Sequence, residues 1–487
     1  MTTAGGVSIL ELVLLLITAG GLVGSSDVVP LPADPIVAQI APAECLFYSS
    51  WTGKTHASPD AANSTEQLFT DAKFLDYLQH VDQRLHQSVL EGIASQGVGE
   101  EHVEGAFRLL DHLHSHAGSF YISAVHSSRE ELPEMFGGLV MRVDDDDIEP
   151  IATTLAAFLQ LVPEPLRSTV KVGHRQFSLV EFGNRAPPIS WGIDQNYLVV
   201  GIGAGEAEKI IERLNGSVPV WLQEAKKRVA TPRPASFVHL DVRNLLDTIR
   251  SAMQPADAAT FAGMLEAFGL DAVESFSYGG GLDDQGTVSR GLLKLSGDPR
   301  GMLTLMDCEP LVAADFQRIS SKSPVALVFQ LNLAAALTAL LDSLEHEKAP
   351  QDALDTARQL RLQLEMMRHA LGIDMLDDLL GSIGDTWRVF AQPGPQALTG
   401  GWTLSVDLVD AARFSKMHDQ LLAAFRQQTR SGGPLRVVSG QNEQVTFHSA
   451  HMDGFPLVPT WCIYRDAWAE QTAYSSGRRT ATTVGSR

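Results

Sequence analysis

The stretch GGLVMRVD at residues 137–144 returns as GGWTLSVD at residues 400–407, each followed by a helical pattern ending in Ala-Ala-Phe. No other feature constrains the fold as strongly, because a returning pattern implies the same supersecondary unit built more than once. Three further pairs keep the same order. GSFYISAV (118–125) is answered by GDTWRVFA (384–391), PISWGI (188–193) by VPTWCI (458–463), and PAECLFYSSW (42–51) by PVALVFQLNL (324–333). Their offsets, 263, 266, 270 and 282, are nearly constant. One such pair could be coincidence; four in the same order at nearly the same offset suggest duplication.

A shorter copy stands between the two large ones. PASFVHLDV (234–242) is a proline-led strand followed by the helical RNLLDTIRSAM, and FGLDAVESF (268–276) parallels LGIDMLDDL (371–379). A hairpin of ESFSYGGGL and TVSRGLLKLS follows, turned by Asp283-Asp284-Gln285-Gly286, and GDPRGMLTLM repeats the step from strand to acid-capped helix. The repeating unit is a strand, one or two helices, an antiparallel strand pair and a helix. That predicts an α+β fold of repeated modules, each an antiparallel sheet covered by helices on one face. The modules fall at 30–218, 230–310 (the shorter, middle one) and 320–469, with proline-bearing joints near Pro219, at Pro232 and Pro234, and from Pro310 to Pro324.

PVALVFQLNLAAALTALL (324–341) carries Gln330 and Asn332, so it reads as a buried strand running into a helix and not as a membrane span. From 352 to 371, Leu354, Ala357, Leu360, Leu364, Met367 and Leu371 share one helical face, with Gly372 as C-cap. After WCIYRD the chain turns polar and loses periodicity, which predicts a disordered tail at 470–487, as a truncated last copy would leave.

At the other end, GVSILELVLLLITAGGLVGSS (6–26) has the apolar core and small-residue flank of a signal peptide or N-terminal anchor, assigned to 1–26. No Lys or Arg precedes it, and Glu11 borders the apolar run. GVSILEL resembles the start of a type IV prepilin, where a glycine precedes the cleavage point and a glutamate follows. The glycines at 20, 21 and 24 and the prolines at 30, 32 and 35 interrupt the long helix a pilin would continue. The expectation is an extracytoplasmic location in the periplasm or cell envelope, secreted or N-terminally anchored. With 37 Lys and Arg against 58 Asp and Glu, the net charge of −21 argues against nucleic acid or an anionic membrane surface as main partner. Membrane contact is expected only through the N-terminal segment. Three cysteines, Cys45, Cys308 and Cys462, allow at most one disulfide, and the pairing stays open.

Several motifs invite a cofactor or catalytic reading, and each has a plainer one. Gly201, Gly203 and Gly205 in YLVVGIGAGEAEKII suggest a dinucleotide turn, yet Glu206 stands where the last fingerprint glycine belongs, and with Glu208 it would repel a pyrophosphate. Asp144 to Asp147 lack the alternate spacing of a calcium loop; they and their counterparts Asp298 and Asp407 precede helices and read as caps. His112 and His116, four apart on one helix face, are the metal candidates, but Arg108 lies one turn before them and no third ligand is identifiable. His239 and His448 read as strand residues. No Gly-x-Ser-x-Gly elbow or phosphate loop is present. Trp191 and Trp461, at matching places, are packing residues or the aromatic lining of a ligand groove. No cofactor is expected and no catalytic residue is assigned.

The signal-like start with LPADP (31–35), YLVVGIGAGEAEKII, GLDAVESF and GIDMLDDL together resemble a family of uncharacterised bacterial exported proteins of the planctomycete and cyanobacterial type, defined by a domain of unknown function, over roughly 30 to 465. The resemblance implies export and carries over no activity or catalytic residue. The expected function is a non-catalytic extracytoplasmic protein that binds or scaffolds another envelope macromolecule, a protein or polymer. The alternatives are an exported hydrolase with an inter-module site and a pilin-like envelope component.

Overall fold

A computed structural model describes residues 29–94, 100–126, 134–183, 186–323, 325–345, 351–391, 401–429, 435–442, 445–452, 457–464 and 467–474. The chain divides into two compact units: residues up to 258 together with 273–296, and residues 259–272 together with those from 297 onward. Among the described residues, no helix is long and apolar enough to cross a membrane. The targeting segment assigned to 1–26 lies outside the described residues.

The first unit runs β1 (Phe47–Trp51), α1 (Ser64–Leu68), α2 (Ala72–Ala94), α3 (Glu100–Ser115), β2 (Gly118–His126), β3 (Glu134–Arg142) and α4 (Ile148–Leu161). It continues through β4 (Arg167–Val172), β5 (Arg175–Val180), β6 (Ile189–Asp194), β7 (Tyr197–Ile202), α5 (Glu206–Leu214), α6 (Val220–Arg228), β8 (Arg233–Asp241) and α7 (Val242–Ala252). The hairpin β9 (Val273–Leu282) and β10 (Thr287–Leu295) completes it, following α8 (Pro255–Phe268), most of which belongs to the second unit. All ten strands form one antiparallel sheet, in the order β10-β9-β8-β1-β2-β3-β7-β6-β5-β4. The stretch set apart in sequence as a middle module therefore contributes β8, β9 and β10 to the same sheet as the first, with Phe47 opposite Leu240 on β8.

Strand alternation explains why this sheet has two cores. Tyr48, Tyr121, Val140 and Val199 point to one face and pack with Ile210 of α5 and Leu222 of α6. Their neighbours Phe120, Leu139, Met141 and Leu198 point to the other, against Leu113 of α3 and Ile151 of α4. Helices thus cover both faces, where the sequence predicts cover on one. A sheet buried on both sides needs continuous apolar runs such as LVV at 198–200, where a sheet covered on one face would alternate.

The second unit runs β11 (Ala326–Gln330), α9 (Leu333–Leu344), α10 (Gln351–Leu371), β12 (Ile383–Ala391), β13 (Trp402–Leu408) and α11 (Ala411–Thr429). It closes with β14 (Leu435–Asn442), β15 (Val445–Met452), β16 (Leu457–Tyr464) and β17 (Ala467–Tyr474). These strands form an antiparallel sheet in the order β11-β12-β13-β17-β16-β15-β14. The strand-to-helix step at 324–341 is present as β11 and α9, but β11 is an edge strand and Leu327 is 57% exposed, so the expected burial is not found. The π-turn at 375–379 is capped by Asp374 and packs Ile373 against Leu408, Phe414 and Met417.

Two sequence expectations need correction here. Residues 467–474, most of them in the expected tail, form β17, which lies between β13 and β16 with Trp461 opposite Glu470. A polar strand can close a sheet because its backbone, not its side chains, makes the ladder; residues 475–487 lie outside the described residues. Of the acids expected as caps, Asp144, Asp147 and Asp407 are also engaged differently. Neither Asp144 nor Asp147 makes a side-chain capping bond, and Asp407 instead holds Arg388 through paired 2.9 Å bonds.

Candidate functional site

The glycine cluster resolves into backbone geometry. β7 is antiparallel to both β3 and β6, so it does not open a βαβ unit. Gly201 lets α5 approach the sheet: a Cβ there would stand 2.5 Å from the Ala207 nitrogen. Gly205 takes a left-handed φ of +71° at the N-cap of α5. Glu206, 2% exposed, turns inward to accept the Tyr121 hydroxyl at 2.8 Å and the Lys209 ammonium at 2.6 Å. An internal carboxylate thus takes the position a bound phosphate would need.

The first unit carries a cleft of about 480 Å³. Its wall follows from period-two alternation on β8. Phe237 enters the core, while His239 and Asp241, two and four residues on, line the opening. From α6 comes Trp221, whose indole N–H donates to the Pro42 carbonyl at 2.9 Å and whose ring stands 4.8 Å from that of His239. His239 Nδ1 is 2.9 Å from Ser277 Oγ on β9, and burial lowers the pKa of the imidazole. Glu274 is held between Lys294 at 2.7 Å and Arg243 at 3.1 Å; the hydrogen bond from Lys294 is the chief reason its carboxyl titrates below the usual range. Asp241 caps α7 by accepting the Asn244 N–H at 2.9 Å.

Cys45 also lines the cleft, but burial pushes its thiol up to about 12, which suits an inert thiol. In the same unit the Lys226 ammonium stands 5.7 Å from the Tyr48 ring and 5.5 Å from the Phe237 ring, and burial lowers its pKa to about 8. All three cysteines are free thiols. Sequence reading placed His239 on a strand without a role and missed Trp221, Arg243, Glu274 and Lys294. They come from two helices and two strands, and no spacing in the chain signals that they meet.

The histidine candidates gain neighbours that the sequence did not assign them. α3 ends at Ser115, and β2 begins at Gly118 opposite Met141 near the end of β3. The end of α3 and the start of α4 are thereby brought side by side. His116 Nε2 lies 3.0 Å from Asp147 Oδ2 and 3.8 Å from Asp144 Oδ2, and His112 Nδ1 lies 3.6 Å from Asp147 Oδ1. Asp147 is thus a third group able to ligate a metal beside the two histidines, which sequence reading could not identify.

The two tryptophans, read as packing residues or as the lining of a ligand groove, do not line this cleft. Trp191 sits half-buried on β6. Trp461 donates its indole N–H to His418 Nε2 at 2.9 Å, and its ring lies 5.8 Å from His448, which is itself 5.0 Å from His418. His448 Nδ1 is 2.7 Å from Ser439 Oγ, and Ser439 also accepts from Arg426 at 2.5 Å. The serine is exposed on β14 with a guanidinium on its oxygen, an arrangement that packs strands together more readily than it makes a nucleophile.

No protein-family model, curated protein or solved structure matches the chain.

Proposed function

We propose that this chain is an exported, extracytoplasmic protein that binds or scaffolds another envelope macromolecule, and that the cleft beside Trp221 is its contact surface. The observation that carries the reading is how the charged groups of the cleft around His239 and Glu274 are arranged. Glu274 is matched by Arg243 and Lys294, Asp241 is committed to capping α7, and His239 is held by Ser277. Groups tied to one another in this way present fixed donors, acceptors and an indole face; they are poorly placed to pass protons, which a hydrolase requires. The signal-like segment at 6–26 and the resemblance to an exported family support the location. The excess of acids over bases favours a polypeptide or neutral polymer over nucleic acid as the partner.

The test is retention from envelope extracts of the source cells. The wild-type chain is compared with Trp221→Ala and with Arg243→Glu/Lys294→Glu, after each variant is shown to fold by circular dichroism. Retention of one partner by the wild type and its loss in both variants is expected. Equal retention by all three, or fractionation of the chain with the cytoplasm, would contradict the reading.

A further inference from the structure

We propose that His112 on α3 and His116 just past its end, together with Asp147 at the N-cap of α4, bind one divalent first-row transition ion of the zinc type. This site is independent of the cleft. Its three donor groups offer atoms that all lie within 4.8 Å of one another. Ligand atoms on a tetrahedral zinc stand roughly 3.5 Å apart, given metal–ligand bonds of about 2.0–2.2 Å. The 3.0 Å and 3.6 Å separations of Asp147 from the two imidazoles bracket that value. Asp144, 3.8 Å from His116 Nε2, offers a fourth oxygen, and its carbonyl accepts the Asp147 N–H at 2.9 Å, which fixes the turn carrying both acids.

The hydrogen bonding of His116 points the same way. Its Nδ1 lies 2.9 Å from the His112 backbone carbonyl, an oxygen that can only accept, so Nδ1 carries the proton. In a neutral ring the lone pair is then on Nε2 and faces the Asp147 carboxylate at 3.0 Å. Two acceptors face each other, and a cation between them removes the conflict. A ligating histidine fixed through its other nitrogen to a backbone carbonyl is the usual outer-shell arrangement of metal sites. The acids, moreover, are not engaged at the helix terminus, since neither Asp144 nor Asp147 makes a side-chain cap. Imidazole with carboxylate selects zinc, cobalt, nickel or iron(II) over calcium and magnesium, which take oxygen alone.

The competing account is an imidazolium–carboxylate pair that needs no metal. The two are separated with the full-length chain, purified without a polyhistidine tag and stripped with a chelator, then titrated with zinc chloride near neutral pH and with cobalt(II) as a spectroscopic probe. One equivalent of zinc should bind and raise the melting temperature, and cobalt should give visible ligand-field bands. His116→Ala and Asp147→Asn should each weaken zinc at least tenfold and abolish those bands. His80→Ala, on the exposed part of α2, should change neither. Absence of stoichiometric zinc binding in the wild type would overturn the proposal, as would unchanged affinity in His116→Ala and Asp147→Asn.

Discussion

Trp191 and Trp461 stand 270 residues apart and hold the same place in two different sheets. Trp191 on β6 faces Ser178 on one side and Val200 on the other; Trp461 on β16 faces His448 and Glu470, each 270 residues further on. The correspondence extends through whole ladders. Arg167 pairs with Val180 as Val437 does with Ala450, and Ile189 with Ile202 as Pro459 does with Thr472. Seven strands follow one order in each unit, β1-β2-β3-β7-β6-β5-β4 and β11-β12-β13-β17-β16-β15-β14. What the two sheets share is this strand order and register.

The histidines around Trp461 should make stability pH-dependent. The indole N–H is accepted at His418 Nε2, which requires that nitrogen to be unprotonated. Burial holds the pKa of both His418 and His448 below the ordinary 6.5. A depressed histidine pKa means the unfolded chain takes the proton more readily, so the stabilisation is present above about pH 6.5 and is lost as the pH falls through the folded-state values. Thermal unfolding followed by tryptophan fluorescence should show a lower midpoint near pH 5 than at pH 7.5. In His418→Gln, whose side chain accepts without titrating, that drop should be smaller.

Arg388 should be the most costly single charge to remove from the second unit. It is 2% exposed and makes two 2.9 Å bonds to Asp407, with its Nε donating to the Asp315 carbonyl at 2.5 Å. Asp407 is about a third exposed and keeps Arg318 as a partner, so the loss is that of the buried guanidinium's own charged hydrogen bonds, about 1.5–3 kcal/mol. Arg388→Ala should lose that much in urea denaturation. Arg388→Lys should recover only a minor part, because an ammonium cannot reproduce the planar fork.

Gly201→Ala tests the packing of α5 on β7. The added methyl would meet the Ala207 nitrogen at 2.5 Å, a backbone atom that cannot swing aside. Overpacking of this kind costs roughly 1–3 kcal/mol. The same substitution at Gly291, whose nearest contact would be Phe276 at 3.8 Å, should be nearly silent on that account. Melting temperatures of the two variants decide it.

Strands were legible in the sequence wherever an apolar run carried them, as at 118–125 and 188–193, and so was the α+β class. What escaped depends on contacts the chain makes only once folded. His112 and Asp147 are 35 residues apart and were read separately, as a metal candidate without a third ligand and as a cap. It is the pairing of Gly118 with Met141 that sets them together. The cleft was hidden for a similar reason, since Trp221, His239 and Glu274 come from three elements and none is unusual in its own segment. Polar β17 was missed because its place is given by the backbone partners on β13 and β16.

The account rests on β17 filling in one sheet the place that β7 fills in the other. Hydrogen–deuterium exchange on the full-length chain addresses this directly through the amides of 467–474. They should exchange slowly, at rates like those of β16, because β17 has a partner on each side. Complete exchange of this segment at the shortest labelling time would show that no strand closes the second sheet, and the shared plan would fail with it.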